Sequence, residues 1–250
     1  MCCSLTLGRL LEVKNIDYTI FERDATPQLD NSRTGTLDLH AGDGQLALEE
    51  AGLTDAFKKL ARWDTPTVLA SARGETIITL NEAGESDRPE IDRKDLRNLL
   101  LGSIPAEKIR WDSKVQRVHR DDQGSISIHF VNGMVEKGFK LVVGADGAWS
   151  KTRSLITSVK PRYTGLHYFA STIKQRNPHY QQTSSLVGGG TYMALGGGKQ
   201  IVAQRLGDGS YFVGIGLHLA EIGDVKEELA DTAAFRERLV DRDFVEYAEK

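Results

Sequence analysis

Leu141-Val142-Val143-Gly144-Ala145-Asp146-Gly147-Ala148-Trp149-Ser150-Lys151-Thr152-Arg153 brings together the residue types that a ligand-binding strand end requires. The apolar run reads as a buried strand that stops at Gly144. The carboxylate of Asp146 then stands in a glycine turn, and a helix is expected from Ser150 through Leu155 and Ile156. An acid at the carboxyl end of a buried strand lies where open α/β sheets take their ligands. The small residues around it let a flat or phosphorylated ligand approach the backbone closely. The same pattern also suits a plain strand–turn–helix connection with Asp146 as a turn residue.

A second acid stands in a related setting. Ser4 to Lys14 carries Leu5, Leu7, Leu10, Leu11 and Val13, a helical pattern that is apolar on more than one side. Asn15 breaks it, and Ile16 to Phe21 reads as a buried strand ending in Glu22-Arg23-Asp24. A helix followed by a strand with an acid at its end is the second half of a Rossmann βαβ unit. There the carboxylate accepts hydrogen bonds from ribose hydroxyls.

The elements that would position these groups follow from periodicity and turn residues. Gln45 to Ala51, Ala56 to Trp63 and Ile91 to Leu101 read as helices, with Asp92 a candidate cap of the third and Asp95 favourable in its first turn. Thr67–Ala70 and Thr76–Leu80 read as strands joined at Arg73-Gly74. Ile109–Val118 and Ser125–Val131 are further strands, the second followed by the strong hairpin signal Asn132-Gly133. Between Leu166 and Leu219 the chain is rich in strand and glycine, with candidates at 166–173, 190–195, 200–205 and 211–217. Ala220 to Lys250 returns to helix, with Ala233, Phe235, Leu239 and Phe244 as its apolar positions.

Other chemistries find no anchor. Gly188 to Gly190 and Gly196 to Lys199 invite a phosphate-loop reading, but Lys199 is followed by Gln200 and the glycine spacing fails, so hairpin turns are expected. The six histidines show no metal-ligand spacing, and no G-x-S-x-G elbow is present. A charge of −3 without a basic block gives no nucleic-acid footprint. No apolar run approaches the roughly 18 residues that span a bilayer. Cys2 and Cys3, the only cysteines, are adjacent and form no disulfide framework, which points to a reducing, cytoplasmic setting.

The stretch G-A-D-G-x-x-S-x-x-R, filled by Gly144, Asp146, Gly147, Ser150 and Arg153, resembles the second fingerprint of the flavin-dependent aromatic hydroxylases, the single-component FAD monooxygenases of the salicylate hydroxylase type. The segment from Thr34 to Gly52 is similar to the subgroup that includes the tetracycline-inactivating monooxygenases. The resemblance implies an α/β fold: an incomplete Rossmann-type FAD-binding domain over 1–63 and 87–160, and a mixed-sheet substrate domain over 64–86 and 161–250. It also implies FAD as cofactor, NAD(P)H as co-substrate, and hydroxylation of a small aromatic or polyketide-like substrate in secondary metabolism. Glu22, with Arg23 beside it, would hold the adenosine ribose. Asp38 and Arg97 (in R-x-D-L-R) would lie near the flavin ring and phosphates, and Asp146 and Gly147 at the cofactor interface. The guanidinium fork of Arg97 suits phosphate and carbonyl groups. The substrate would lie between flavin and the strands of 166–219.

Two family features are missing from the sequence. The G-x-G-x-x-G turn would put its third glycine at Ser4 and its second at Met1, and no G-D-A-A-H motif follows, so the resemblance implies truncation at both ends. Charge-assisted hydrogen bonds of roughly 1.5–3 kcal/mol each from a helix start normally hold the pyrophosphate. Two alternatives therefore stand beside the monooxygenase: an inactive remnant acting as a binding protein, and a redox-independent isomerase or cyclase.

Overall fold

A computed structural model describes residues 2–28, 35–80, 87–219 and 231–248. The chain is α/β and divides into two compact units: Met1–Arg33, Ala41–Leu60 and Arg93–Arg162 form one, and Thr34–His40, Ala61–Asp92 and Tyr163–Lys250 the other.

The first unit opens with helix α1, Cys2–Val13. Asn15 ends it in the left-handed region at φ 55°. The Asn15 N–H donates to Glu12 O and the Ile16 N–H to Leu11 O, a Schellman arrangement that satisfies the last carbonyls. Gly8 is buried on this helix, and a methyl group there would meet Ile20 Cδ1 at 2.9 Å, so helix and strand lie against each other closely. The strand itself, β1, covers only Ile20–Phe21, shorter than the expected Ile16–Phe21. Its parallel partner β6, Ile109–Arg110, offers two residues before the chain turns away through Asp112 at φ 52°. The expected strand Ile109–Val118 is thereby broken in two, its second part being β7, Val115–Arg120.

β7 pairs antiparallel with β8, Ile126–Phe130, which pairs in turn with β9, Val135–Lys137. Asn132-Gly133 makes the β8–β9 turn as expected: Gly133 has φ 86°, and Asn132 Oδ1 accepts the Met134 N–H. Val118, Ile128 and Phe130 form the core under this sheet, with Phe21, Phe139, Val142 and Leu155 packed against it. Helices α2 (Leu46–Glu50), α3 (Thr54–Leu60) and α4 (Arg93–Leu101) complete the unit.

In the second unit, β2 (Thr36–Asp38) pairs antiparallel with β5 (Glu90–Asp92). The main sheet has six strands: β3 (Thr67–Ser71), β4 (Thr76–Leu80), β10 (Leu166–Ile173), β11 (Thr191–Gly196), β12 (Lys199–Arg205) and β13 (Tyr211–His218). Their order is β10-β13-β12-β11-β3-β4, with β11 and β3 parallel and the other pairs antiparallel. The four late strands fall where glycine punctuation and alternation place them. Helix α5, Tyr180–Val187, was not expected; it packs through Val187 against the sheet core around Ala70, Tyr192, Ala194, Ala203 and Tyr211.

Further expectations are corrected. Leu141–Val143 pairs with no strand among the described residues, and Leu141 and Val143 are 76% and 55% exposed. An apolar run becomes a strand only where a neighbour meets its N–H and C=O groups. The helix expected from Ser150 is a single 3-10 turn, Arg153–Leu155. Ile91 and Asp92 belong to β5, and Asp92 gives its carboxylate to Arg62 and to the Gly207 N–H rather than to a helix start. Gly188 caps α5, donating its N–H to Ser184 O, so Gly188–Gly190 is a helix end and not a hairpin, whereas Gly197 and Gly198, at φ 56° and 72°, do turn β11 into β12. Of the last expected helix, 220–230 lies outside the described residues; the rest forms two short helices, Thr232–Arg238 and Val245–Ala248, around a wide turn. Among the described residues no helix is long and apolar enough to cross a membrane.

Candidate functional site

Glu22 stands at the end of β1, where the sheet pairing runs out. Its N–H donates to Arg110 O at 2.9 Å, and its carbonyl accepts the Ser113 N–H at 2.8 Å. Its Oε1 accepts the Asp24 N–H at 3.1 Å, so the carboxylate shapes the loop that follows, and among the described residues no donor is bonded to Oε2. The Asp112 N–H reaches Asp24 O at 2.9 Å, stitching 22–24 to 110–113. Arg23 points to solvent.

Arg97 closes on the same loop. It is 2% exposed, although a helix arginine is usually solvated. Its Nη1 donates to the Pro27 carbonyl, and its guanidinium lies 5.7 Å over the Trp111 ring. The structure therefore brings Glu22 and Arg97 to one loop system, 22–28 with 110–113, through backbone that both help to fix.

Asp146 is held differently. Its Oδ2 accepts the Lys151 N–H at 2.6 Å. Burial pushes its carboxyl upward, but hydrogen bonds from Ser150 and from the Lys151 and Thr152 amides outweigh that and leave it below the usual aspartate value. The carboxylate is thus the local cap of the 150–155 turn. Gly144 is required there, since a methyl group would lie 2.6 Å from Thr152 Cβ. Gly147 has φ 79° and open space on the side where a Cβ would stand. Asp38 belongs to the second unit: it is exposed on β2, opposite Glu90 of β5. His40, two residues on, is also exposed. Among the described residues no group of three His, Cys, Asp or Glu side chains could hold a metal ion.

No protein-family model matches the chain. It is 32% identical over 242 residues to the monooxygenase asqM of Emericella nidulans, covering 90% of this chain and 54% of that protein. It is 33% identical over 226 residues to the monooxygenase penA of Penicillium thymicola, covering 86% of this chain and 52% of that one. The chain belongs to the FAD-dependent monooxygenases. It spans about half the length of the curated relatives it matches. Among solved structures, Klebsiella pneumoniae HpxO in its R204Q form complexed with FAD superimposes with a TM-score of 0.74 at 18% identity, over 99% of this chain and 61% of that one, which places the fold with these monooxygenases.

One polar cluster of this family member has no sequence signature. Arg62 donates through Nη1 to Asp92 Oδ1 at 2.8 Å and through Nη2 to Glu90 Oε2 at 3.4 Å. Thr191 Oγ1 donates to Glu90 Oε1 at 3.2 Å, and the Gly207 N–H to Asp92 Oδ2 at 2.9 Å. Arg62 and Glu90 also exchange both backbone hydrogen bonds. Glu90 is 3% exposed; burial, and then the charge of Asp38, raise its carboxyl above the usual glutamate value against the pull of Arg62. The bonded partners lie 28 to 115 residues apart, so no spacing rule connects them. The cluster ties the small β2–β5 pair, with Asp38 on it, to the main sheet.

Proposed function

We propose that this chain forms the cofactor-holding and substrate-holding part of a cytoplasmic FAD-dependent monooxygenase that hydroxylates an aromatic or polyketide-like small molecule, with NAD(P)H and oxygen as co-substrates, in secondary metabolism. The observation that carries the reading is the loop system of Glu22 and Arg97. An acid with one oxygen unbonded among the described residues follows a parallel strand, and a buried guanidinium is clamped against the same loop. Relatedness to asqM and penA over most of the chain supports the reaction class.

The residues present fit FAD at its adenosine end. Glu22 Oε2 is a charged acceptor for a ribose hydroxyl, and Arg23 is an exposed guanidinium one residue away, suited to a phosphate. Arg97 fixes the loop floor through Pro27 and Trp111. Asp146 acts as a positioning group: by capping Lys151 it holds the turn that presents Gly147, whose missing side chain lets a ring approach the backbone. When bound, FAD supplies the electron transfer and oxygen activation, and the protein contributes binding, orientation and exclusion of water.

Titration of FAD into the purified 250-residue chain, followed by flavin fluorescence, tests this directly. Saturable quenching is expected. Glu22→Gln should weaken binding about tenfold or more, the scale of a lost hydrogen bond to a charged group, while His40→Ala leaves it unchanged. Full free-flavin emission at equimolar protein overturns the reading.

A further inference from the structure

We propose that the solvent face of the β7–β8–β9 sheet is a binding site for a soluble phosphate monoester, centred on Ser127. In register, His119 of β7 stands opposite Ser127 on one side and Lys137 of β9 stands opposite it on the other. His129, two residues along β8 and therefore on the same face, lies opposite Arg117 and Val135. Directly opposed side chains in antiparallel pairs begin about 4.5–5.5 Å apart and diagonal ones about 7–8 Å, within reach of long side chains, so one small anion over Ser127 meets Lys137 and His119 directly and Arg117 diagonally. Arg117, His119 and Lys137 are exposed. The one acid of β9, Glu136, pairs with Ile128 on the other face and is bonded to Arg110. In the β7–β8 turn, Asp121 spends its carboxylate on the Gln123 and Ser125 amides.

Hydrogen-bond logic fixes the donors. Arg117 Nη2 lies 3.3 Å from His129 Nδ1. A guanidinium has no acceptor, so Nδ1 must accept and the ring proton of the neutral imidazole sits on Nε2. Nε2 in turn lies 3.1 Å from Ser127 Oγ and donates to it. The Ser127 hydroxyl proton is then the remaining donor of the cluster, on a residue that is 8% exposed between the exposed Arg117, His119 and Lys137. Burial, followed by the charges of Arg117, His119 and Lys137, holds His129 below the ordinary histidine value, and all of those charges are positive. Protonating His129 would set two cations directly opposite each other, a destabilising pair that a bound dianion relieves. A phosphate monoester has three terminal oxygens for the Ser127, Lys137 and Arg117 donors, and its charge approaches −2 near neutral pH.

The test is a titration of the full chain with glycerol phosphate at constant ionic strength, read on the imidazole Cε1–H proton resonances, with the His129 signal assigned by its loss in His129→Gln. The pKa of His129 is expected to rise by about one unit on saturation, which is equivalent to about tenfold tighter binding to the protonated form. Affinity should accordingly be higher at pH 6 than at pH 7.5. Lys137→Gln and Arg117→Gln, both on the exposed face, should each weaken binding about tenfold while leaving the thermal midpoint unchanged. A His129 titration unmoved by glycerol phosphate, or moved equally in both variants, overturns the proposal. So does co-sedimentation with phosphatidylcholine vesicles containing phosphatidic acid in the absence of any response to glycerol phosphate, which would assign the face to a lipid headgroup.

Discussion

Two three-residue apolar runs in this chain meet opposite fates. Ile201-Val202-Ala203 lies in β12, between β11 and β13, with every residue registered against a partner on each side. Leu141-Val142-Val143 is wholly apolar too, yet among the described residues it pairs with no strand, and Val142 packs onto a core. Both runs are wholly apolar, so apolar composition does not decide between them. What differs is whether two neighbours supply backbone donors and acceptors, which is a property of distant sequence. The second unit is therefore held by ladders and buried rings, while the motif segment is held by turns: Asp146 on Lys151, Ser150 Oγ on the Arg153 N–H, and the Arg153 side chain on Ala148 O.

If that contrast is real, filling a glycine should cost far more in the sheet unit than in the motif. A Cβ at Gly190 would stand 2.0 Å from Pro66 O, a carbonyl that already accepts the Thr191 N–H at 2.9 Å. Both groups are backbone and cannot step aside. Gly190→Ala should lose about 3 kcal/mol in urea unfolding, the upper part of the overpacking range. Gly144→Ala meets the Thr152 side chain in a turn that can shift, and should lose about 1 kcal/mol. Equal losses would break the comparison.

Next in size is the Arg62 cluster. Arg62→Ala leaves Glu90 and Asp92 without their cation, at a cost of about 2 kcal/mol once the partial exposure of Arg62 is discounted. The loss should depend on pH, with a defined sign. Glu90 has its folded pKa raised, so what protonation contributes to stability is present below the ordinary glutamate value and lost as pH rises through the folded value. Without Arg62 the charged form is worse off still. The variant should therefore be close to wild type near pH 4 and most destabilised above pH 7, and a pH-independent difference would show that Arg62 acts by packing alone. Tyr211→Phe should be milder, about 1 kcal/mol. Its hydroxyl donates to Gly188 O at 2.8 Å, and that carbonyl would lose its donor while α5 stays packed through Val187.

How much of this could be read from the sequence follows the same divide. Strands 166–173, 200–205 and 211–217 were legible because alternation and glycine turns are local signals, and the sheet rewards them. The Asn132-Gly133 turn was legible for the same reason. Glu22 was found at a strand end because a helix, a breaker and an apolar run precede it in order. The burial of Arg97 was not legible: its surroundings, Pro27 and Trp111, come from two other segments. Nor was the Arg62 cluster, which only the closed sheet assembles. The unpaired state of Leu141–Val143 is the clearest miss, since periodicity reports which face is apolar and not whether a partner strand exists.

The smallest expected effect is the sharpest check on that miss. Leu141, Trp149 and Ile156 are 76%, 72% and 84% exposed. Side chains that remain in water contribute little to folding, so Leu141→Ser and Ile156→Ser should each change stability by less than about 0.5 kcal/mol. Their combination should add to less than about 1 kcal/mol, since neither change removes a packed neighbour of the other. The same pair of substitutions should reduce self-association in light scattering, because a run of exposed apolar side chains is an adhesive surface. A loss of 2 kcal/mol or more would mean that Leu141 and Ile156 are buried in solution. The motif would then be a packed strand like β12, and the difference between the two runs would disappear.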